Sequence, residues 1–335
     1  MRLKRFVAGA LFALLVTPPV IAQQRGRGQQ PQPPAAASRT GQEMTAADKA
    51  TAALYSVKEA LALQVTLDKA GFSPGEIDGR LGKNTLRALE AYEGAKRQKA
   101  APAARGGLRD YTITAEEAAG PFTKVPADMM EKSKLKALNY ASLLEMLGER
   151  FHIKPELLRQ INAGKRFAAG QTIKVPDVEE TRIPDARPQG QSSGAGFAGN
   201  VTVTVSKSRS SLQIVDNNGT VIFRGPVTTG SEKDPLPLGT WKVNAVSRNP
   251  TYNYNPDLFW DADPSHAKAK VAPGPNNPVG VVWIDLSKEH YGIHGTPEPG
   301  RISYSESHGC VRMTNWDALR VAALVDKGTT VLFVE

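Results

Sequence analysis

The chain has 335 residues, a formal net charge of +9, 40% hydrophobic residues, five histidines and a single cysteine. That length leaves room for several folded units, one of them large enough for a proper core. One cysteine excludes an internal disulfide framework, and the lack of basic clusters interleaved with aromatics argues against nucleic-acid binding. The charge instead suits an anionic envelope surface.

The chain opens "MRLKRFVAGALFALLVTPPVIAQQ", with Arg2, Lys4 and Arg5 before an apolar run that ends ahead of Pro18 and Pro19. This is the layout of a secretory signal peptide, residues 1–22, with cleavage near Ala22. Its apolar run is shorter than the roughly 20 residues a spanning helix needs. No later stretch is apolar enough to span. The mature chain is therefore expected to be periplasmic, without a transmembrane span and with three fewer positive charges. Residues 23–45, rich in Gln, Gly, Pro, Ala and Arg, are expected to be a disordered tether.

Residues 46–98 form the next unit. Within it, 63–93 reads as helix, Gly-rich turn, helix, the second helix presenting Leu86, Leu89 and Tyr92 on one side. Through Leu63-Gln64, Gly71-Phe72, Ile77-Asp78-Gly79 and Thr85 it resembles the small helical peptidoglycan-binding domain. Residues 107–178 follow. Their stretch 140–176 resembles the latter part of a LysM glycan-binding module: two short helices, then Gly170-Gln171 leading into a strand that ends Val175-Pro176. The opening strand is expected at 110–114, with about twenty-five residues inserted after it. His152 falls in a turn and is read as structural. Residues 179–199, with Pro, Gln, Ser and Gly, are expected to be a linker.

Residues 200–335 read as β-rich. "VTVTVS" alternates in strand fashion, and residues 212–223 form two runs joined at Asn218-Gly219, a hairpin signal. "TWKVNAV", "VGVVWIDL" and "TTVLFV" supply further strands, and Thr314 and Asp317 are spaced as the capping box of a short helix reaching about Asp326. In "GIHGTPEPGRISYSESHGCVRM", Cys310 stands beside two histidines. A thiol becomes a nucleophile when a base or positive charge helps remove its proton. His308, two residues before Cys310, would share its face in an extended segment, and His294 would arrive from a neighbouring strand. Gly309 leaves the backbone open to a substrate carbonyl. The nearby helix start would favour a thiolate if close enough.

His294-Gly295 followed by Ser307-His308-Gly309-Cys310-Val311-Arg312 resembles the signature of the L,D-transpeptidase family, the YkuD-type domain that works on bacterial peptidoglycan. The resemblance extends over about 201–334; Arg312 stands where several members have Asn, and "GRISYSE" departs from the usual Ile-Gly before the core. It implies a multidomain chain: a mainly-β, YkuD-like β-sandwich with a short helix after the cysteine, preceded by the two smaller modules. It also implies a cysteine thioester that cleaves the bond between the diamino acid and D-alanine of a tetrapeptide stem and passes the acyl group to an amine, a 3-3 crosslink. Cys310 would be the nucleophile, His294 the general base and acid, the Gly295 carbonyl its orienter, and His308 with Gly309 the oxyanion site. Ser307, Arg312, Asn276, Asn277, Tyr254 and Trp260 are the expected substrate-binding residues, with Tyr254 and Trp260 on a lid.

The expected partners are peptidoglycan stem peptides and glycan. The acceptor is open between a second stem peptide, water and an outer-membrane protein amine. A competing reading makes His290, His294, His308 and Cys310 zinc ligands, but 291–293 reads as strand and no acidic general base stands beside it. No cofactor or metal is expected. A peptidoglycan-binding scaffold without chemistry is the remaining alternative.

Overall fold

The computed structural model describes residues 44–96, 107–182 and 201–335. The signal peptide, nearly all of the tether and most of the linker lie outside the described residues.

The first unit is three helices, α1 (Ala46–Ala52), α2 (Val57–Lys69) and α3 (Lys83–Lys96). Ser56 starts α2 with a full capping box to Glu59. Two faces of α2 are buried against different partners. Leu63 and Leu67 join Phe72, Leu81 and Ala88 in this unit's own core, whereas Leu61 and Val65 enter the core of the next unit. Gln64 closes the turn between α2 and α3: its amide donates to Asp78, Thr85 and the Arg80 carbonyl and accepts from the Gly79 N–H.

The second unit pairs β1 (Leu108–Thr112) with β2 (Thr172–Pro176) antiparallel. Between them run α4 (Ala115–Ala119), α5 (Met129–Ser133), α6 (Leu143–Arg150) and α7 (Pro155–Ile161). The opening strand lies two residues earlier than the sequence suggests, because Thr114 caps α4 in a box with Glu117 and leaves the strand. Ile113, Leu147, Phe151, Ile153, Leu158, Ile173 and Val175 make the core.

The third unit contains β3 (Val201–Ser206), β4 (Ser211–Asp216), β5 (Val221–Pro226), β6 (Gly239–Arg248), β7 (Tyr252–Tyr254), β8 (Ala269–Val271), β9 (Val282–Leu286), β10 (Gly292–His294), β11 (Val311–Arg312), α8 (Asn315–Leu324) and β12 (Thr330–Val334). Eight strands form one sheet, ordered β11-β10-β9-β6-β12-β3-β4-β5, and β7-β8 is a separate ribbon. The long β6 pairs with β12 and then β9, with a bulge between Val243 and Ala245. A bulge bends and twists a strand. Val203, Leu212 and Ile214 from one end of the sheet thereby share a core with Ile284, Ile293 and Val311 from the other. The two layers of the expected sandwich are thus one curled sheet.

Thr314 caps α8 at the Asp317 N–H, but the Asp317 carboxylate does not reach back to complete the box. It accepts instead from Ser73 of the helical unit, at 2.7 Å. The helix ends at Leu324, where Val325 turns extended.

Asp68, fully buried on α2, gathers all three units. Both terminal nitrogens of Arg320 donate to it, at 3.1 and 2.8 Å, and His152 donates from Nδ1 at 3.1 Å. Burial alone would raise this carboxyl; His152, then Arg320, more than offset that and hold it well below the usual carboxylate range. Asp68→Asn should lower stability by about 3–5 kcal/mol, since it removes the buried carboxylate that takes both terminal nitrogens of Arg320 and leaves that guanidinium only Asp317, at 3.7 Å. A depressed carboxyl stabilises above its unfolded pKa, about 3.9, and that contribution is lost as pH falls through the folded value. The loss therefore lies mainly below about pH 4, and melting temperature followed from pH 5 to 2 should fall more steeply for the wild type than for Asp68→Asn; parallel curves would remove Asp68 from this role.

Candidate active site

Strands β10 and β11 run parallel, with Ile293 beside Val311 and His294 beside Arg312. Alternation along a strand then puts Cys310, Arg312 and His294 on one face. They line a cleft of about 760 Å³ with Tyr252, Tyr254, Phe259, Asp261, His266, Trp283, Tyr291 and His308.

His294 is buried against Trp283, the rings nearly parallel with centroids 5.5 Å apart. Its Nδ1–H donates to the Gly295 carbonyl at 2.7 Å, which leaves Nε2 as the basic nitrogen. Burial, then the Arg312 charge, pushes its pKa down to about 3, against a smaller upward pull from the Gly295 carbonyl. The half-buried Cys310 donates weakly to the His290 carbonyl, Sγ to O 3.6 Å. Its pKa is raised by burial, with the Gly292 N–H and Arg312 opposing. A neutral thiol and a neutral imidazole therefore share the cleft. The helix start does not lower the thiol as the sequence suggested: β11 and the Thr314 cap stand between them, and burial dominates.

Gly309 turns the chain at φ +101°, and a Cβ there would lie 2.7 Å from the Tyr291 ring, so only glycine fits. The His308–Cys310 segment is consequently a bend, and its spacing does not put the two side chains on one strand face. His308 reaches the cleft by another route. Its Nε2–H donates to Asp261 at 2.8 Å, and its ring meets Phe259 edge-on at 5.0 Å. Both partners belong to the loop joining β7 to β8, a flap that lines the same cleft as Cys310.

Three expected substrate contacts, Ser307, Asn276 and Asn277, are spent on the fold instead. Ser307 is buried and turned inward, its hydroxyl donating to the Cys310 carbonyl at 2.6 Å, so it fixes the loop. Asn276 donates to the Asn139 carbonyl and to Glu145, and the fully buried Asn277 to the carbonyls of Ala272 and Pro250. Their amides are consumed by loop closure. Trp260 stands on the flap, its ring centroid 5.9 Å from that of His308; it is 59% exposed, its indole N–H donating to Asp234 and Lys233 sitting 3.5 Å over the ring. Tyr254 does line the cleft, its hydroxyl 3.0 Å from His266 Nδ1. Arg312 also lines it, with the Glu306 carbonyl 3.4 Å from Nη1. Among the described residues no three His, Cys, Asp or Glu side chains gather as metal ligands; His290 points toward Glu289.

Sequence reasoning missed Asn315. This fully buried first residue of α8 backs the site: a Cβ on Gly295 would come within 2.1 Å of its Oδ1, and one on Gly280 within 2.0 Å. The Asn315 amide accepts from the Val281 N–H and donates to Pro275 and to Glu149 of the second unit. Burial raises Glu149 to about 7, although Asn315 and Tyr140 donate to it. The signal was present in the glycines: Gly295 leaves room for the Asn315 side chain, and Gly280 does so while also turning the chain at φ +62°.

Residues 200–333 match the YkuD family, described as the L,D-transpeptidase catalytic domain. This part of the chain is an L,D-transpeptidase catalytic domain, and the protein an enzyme of that class. A Bacillus licheniformis protein named as an L,D-transpeptidase YkuD is 29% identical over 191 residues, covering 56% of this chain and 91% of the relative. Its Bacillus subtilis counterpart is 49% identical over 57 residues, 17% of this chain and 35% of the relative. A solved L,D-transpeptidase from Mycobacterium smegmatis is similar at 20% identity and a TM-score of 0.33, covering 40% of this chain and 58% of that one.

With the thiol raised and the imidazole depressed, alkylation of Cys310 by iodoacetamide should be slow at pH 7 and keep rising beyond pH 9, with no step between pH 5 and 8 from His294. Intact mass against time at each pH reads this directly. A plateau reached by pH 7 would mean that a thiolate is already formed.

Proposed function

We propose that this is an exported L,D-transpeptidase that crosslinks peptidoglycan through a Cys310 thioester. The observation that carries the reading is the parallel β10–β11 pair, which presents Cys310, His294 and Arg312 to one cleft while the Gly295 carbonyl leaves His294 Nε2 basic. Sγ attacks the carbonyl between the stem's third residue and its terminal D-alanine as Nε2 takes the thiol proton. That proton is then given to the departing D-alanine amine, leaving the thioester. An amine of a second stem peptide attacks next, loses its proton to Nε2, and the restored thiol leaves. Both groups begin neutral, so proton transfer accompanies attack rather than preceding it. The N–H groups beside Gly309, with His308, would meet the developing oxyanion. Arg312, which makes no ion pair among the described residues, suits a substrate carboxylate.

The cleft also carries Asp128, Asp234, Asp261 and Asp263, a setting that draws in an amine acceptor in its ammonium form, which sheds one proton to solvent before it attacks, and so favours an amine over water. Resemblance of the two smaller units to peptidoglycan-binding and LysM modules supports their holding stem peptide and glycan, and the N-terminal pattern supports a periplasmic location.

The test is intact mass of the mature protein after incubation with a tetrapeptide muropeptide. An adduct short of D-alanine should form on the wild type and not on Cys310→Ala, and resolve to a dimer joined through two third-position residues. His294→Ala should slow its formation about 10²- to 10⁴-fold. Resolution only to tripeptide would point to water, or to an absent protein acceptor; no adduct would favour a scaffold.

A further inference from the structure

Between α4 and α6 the second unit carries an insert, residues 120–142, that contributes nothing to that unit's core. Its apolar side chains serve a different one. Leu138, fully buried, packs with Tyr254 and Val271 of the β7–β8 ribbon, and Met129, Met130 and Leu135 pack around them with Tyr252 and Phe259. The backbones interlock as well. The Leu138 N–H donates to the Pro273 carbonyl at 2.9 Å, the Asn276 N–H to the Leu138 carbonyl at 3.0 Å, and a Cβ on Gly274 would strike the Leu138 carbonyl oxygen at 2.3 Å.

A polar line continues from this contact into the cleft. His266 Nε2–H donates to Asp128 at 2.9 Å, and His266 Nδ1 accepts from the Tyr254 hydroxyl at 3.0 Å. Asp128 also caps α5 through the Glu131 N–H. Ala127, Asp128 and Met129 line the same cleft as Cys310. From Tyr254 the flap runs to Phe259 and Asp261, the two residues that hold His308.

We propose that residues 120–142 are a built-in wall of the active site: Ala127 to Met129 bound the bound stem peptide, and the Asp128–His266–Tyr254 line positions the flap that holds His308. Asp128 and His266 are thus positioning residues supplied from two different units. The choice of substrate rests on the transpeptidase reading; the placement of the flap does not.

The test uses the full mature chain. Asp128→Ala and His266→Ala should each raise KM for the tetrapeptide muropeptide about five- to thirty-fold, the worth of one or two kcal/mol, with kcat changed far less. Both should also speed alkylation of Cys310 by iodoacetamide, because the flap is no longer held. The double variant should be no worse than the worse single, since the two residues act as a pair. Asp128→Asn keeps the α5 cap through Oδ1 but puts an NH2 donor where Oδ2 accepts from His266 Nε2–H, so it should raise KM and speed alkylation as Asp128→Ala does without losing the cap. Asp110→Ala, which breaks an exposed ion pair with Lys174 in the same unit, should behave as wild type. Asp128→Ala also loses the α5 cap, so His266→Ala carries the test if that variant melts early. Unchanged KM and unchanged alkylation in folded His266→Ala would overturn the proposal, as would additive effects in the double variant. A wild type that forms no adduct would end the transpeptidase reading, and the alkylation rates would still decide whether the insert holds the flap.

Discussion

One buried carboxylate, Asp68, organises the molecule. Taking a carboxylate and a guanidinium out of water is expensive, and such a pair persists only where its geometry and hydrogen bonding are nearly complete. Here Asp68 receives both terminal nitrogens of Arg320 and the Nδ1–H of His152, whose ring lies flat on Trp316 at 5.0 Å. Arg320 and Trp316 both belong to α8, and the same helix begins with Asn315 beneath Gly295. The helix that backs His294 is therefore held by the helical unit through Asp317 and Arg320 and by the second unit through Asn315 and Trp316.

That support matters to the proposed thioester route, which starts from uncharged partners. Burial disfavours both the thiolate and the imidazolium, and Arg312 stabilises only the first while opposing the second. An ion pair waiting in the resting site would be stabilised before the substrate arrives, which contributes nothing to the rate. Charge that appears only as the carbonyl is attacked is favoured in the transition state alone. The geometry then has to be held in advance, since no resting ion pair draws the two side chains together.

Much of the fold was legible. The alternating "VTVTVS" gave β3 its bounds, and Asn218-Gly219 marked the turn between β4 and β5, with Gly219 at φ +77°. The order and spacing of His294, His308 and Cys310 pointed to one cleft because motif residues must converge to act. Side-chain direction in irregular loops was not legible: Asn276, Asn277 and Ser307 sit in the expected segments, yet their polar groups close the loops from within. Nor does local pattern tell a capping box from half of one. Thr314 and Asp317 have the spacing, but the Asp317 carboxylate is drawn to Ser73, a partner 244 positions away. The role of residues 120–142 was hidden for the same reason. As an interruption of a small module they look like excess, and only the folded chain brings Leu138 to Val271.

The same contacts change how the two front units should be understood. Beads on a tether would sample many positions relative to Cys310, and binding by one would raise only its local concentration near the wall. In this chain α2 shares its buried surface between two cores, Arg224 is buried against Gly71 and Ser73, and the insert of the second unit borders the cleft itself. A ligand held by either front unit would then stand at a set distance from the thiol. Wall attachment would act on the reaction as orientation, which contributes far more than proximity alone when the reacting atoms must meet in one geometry.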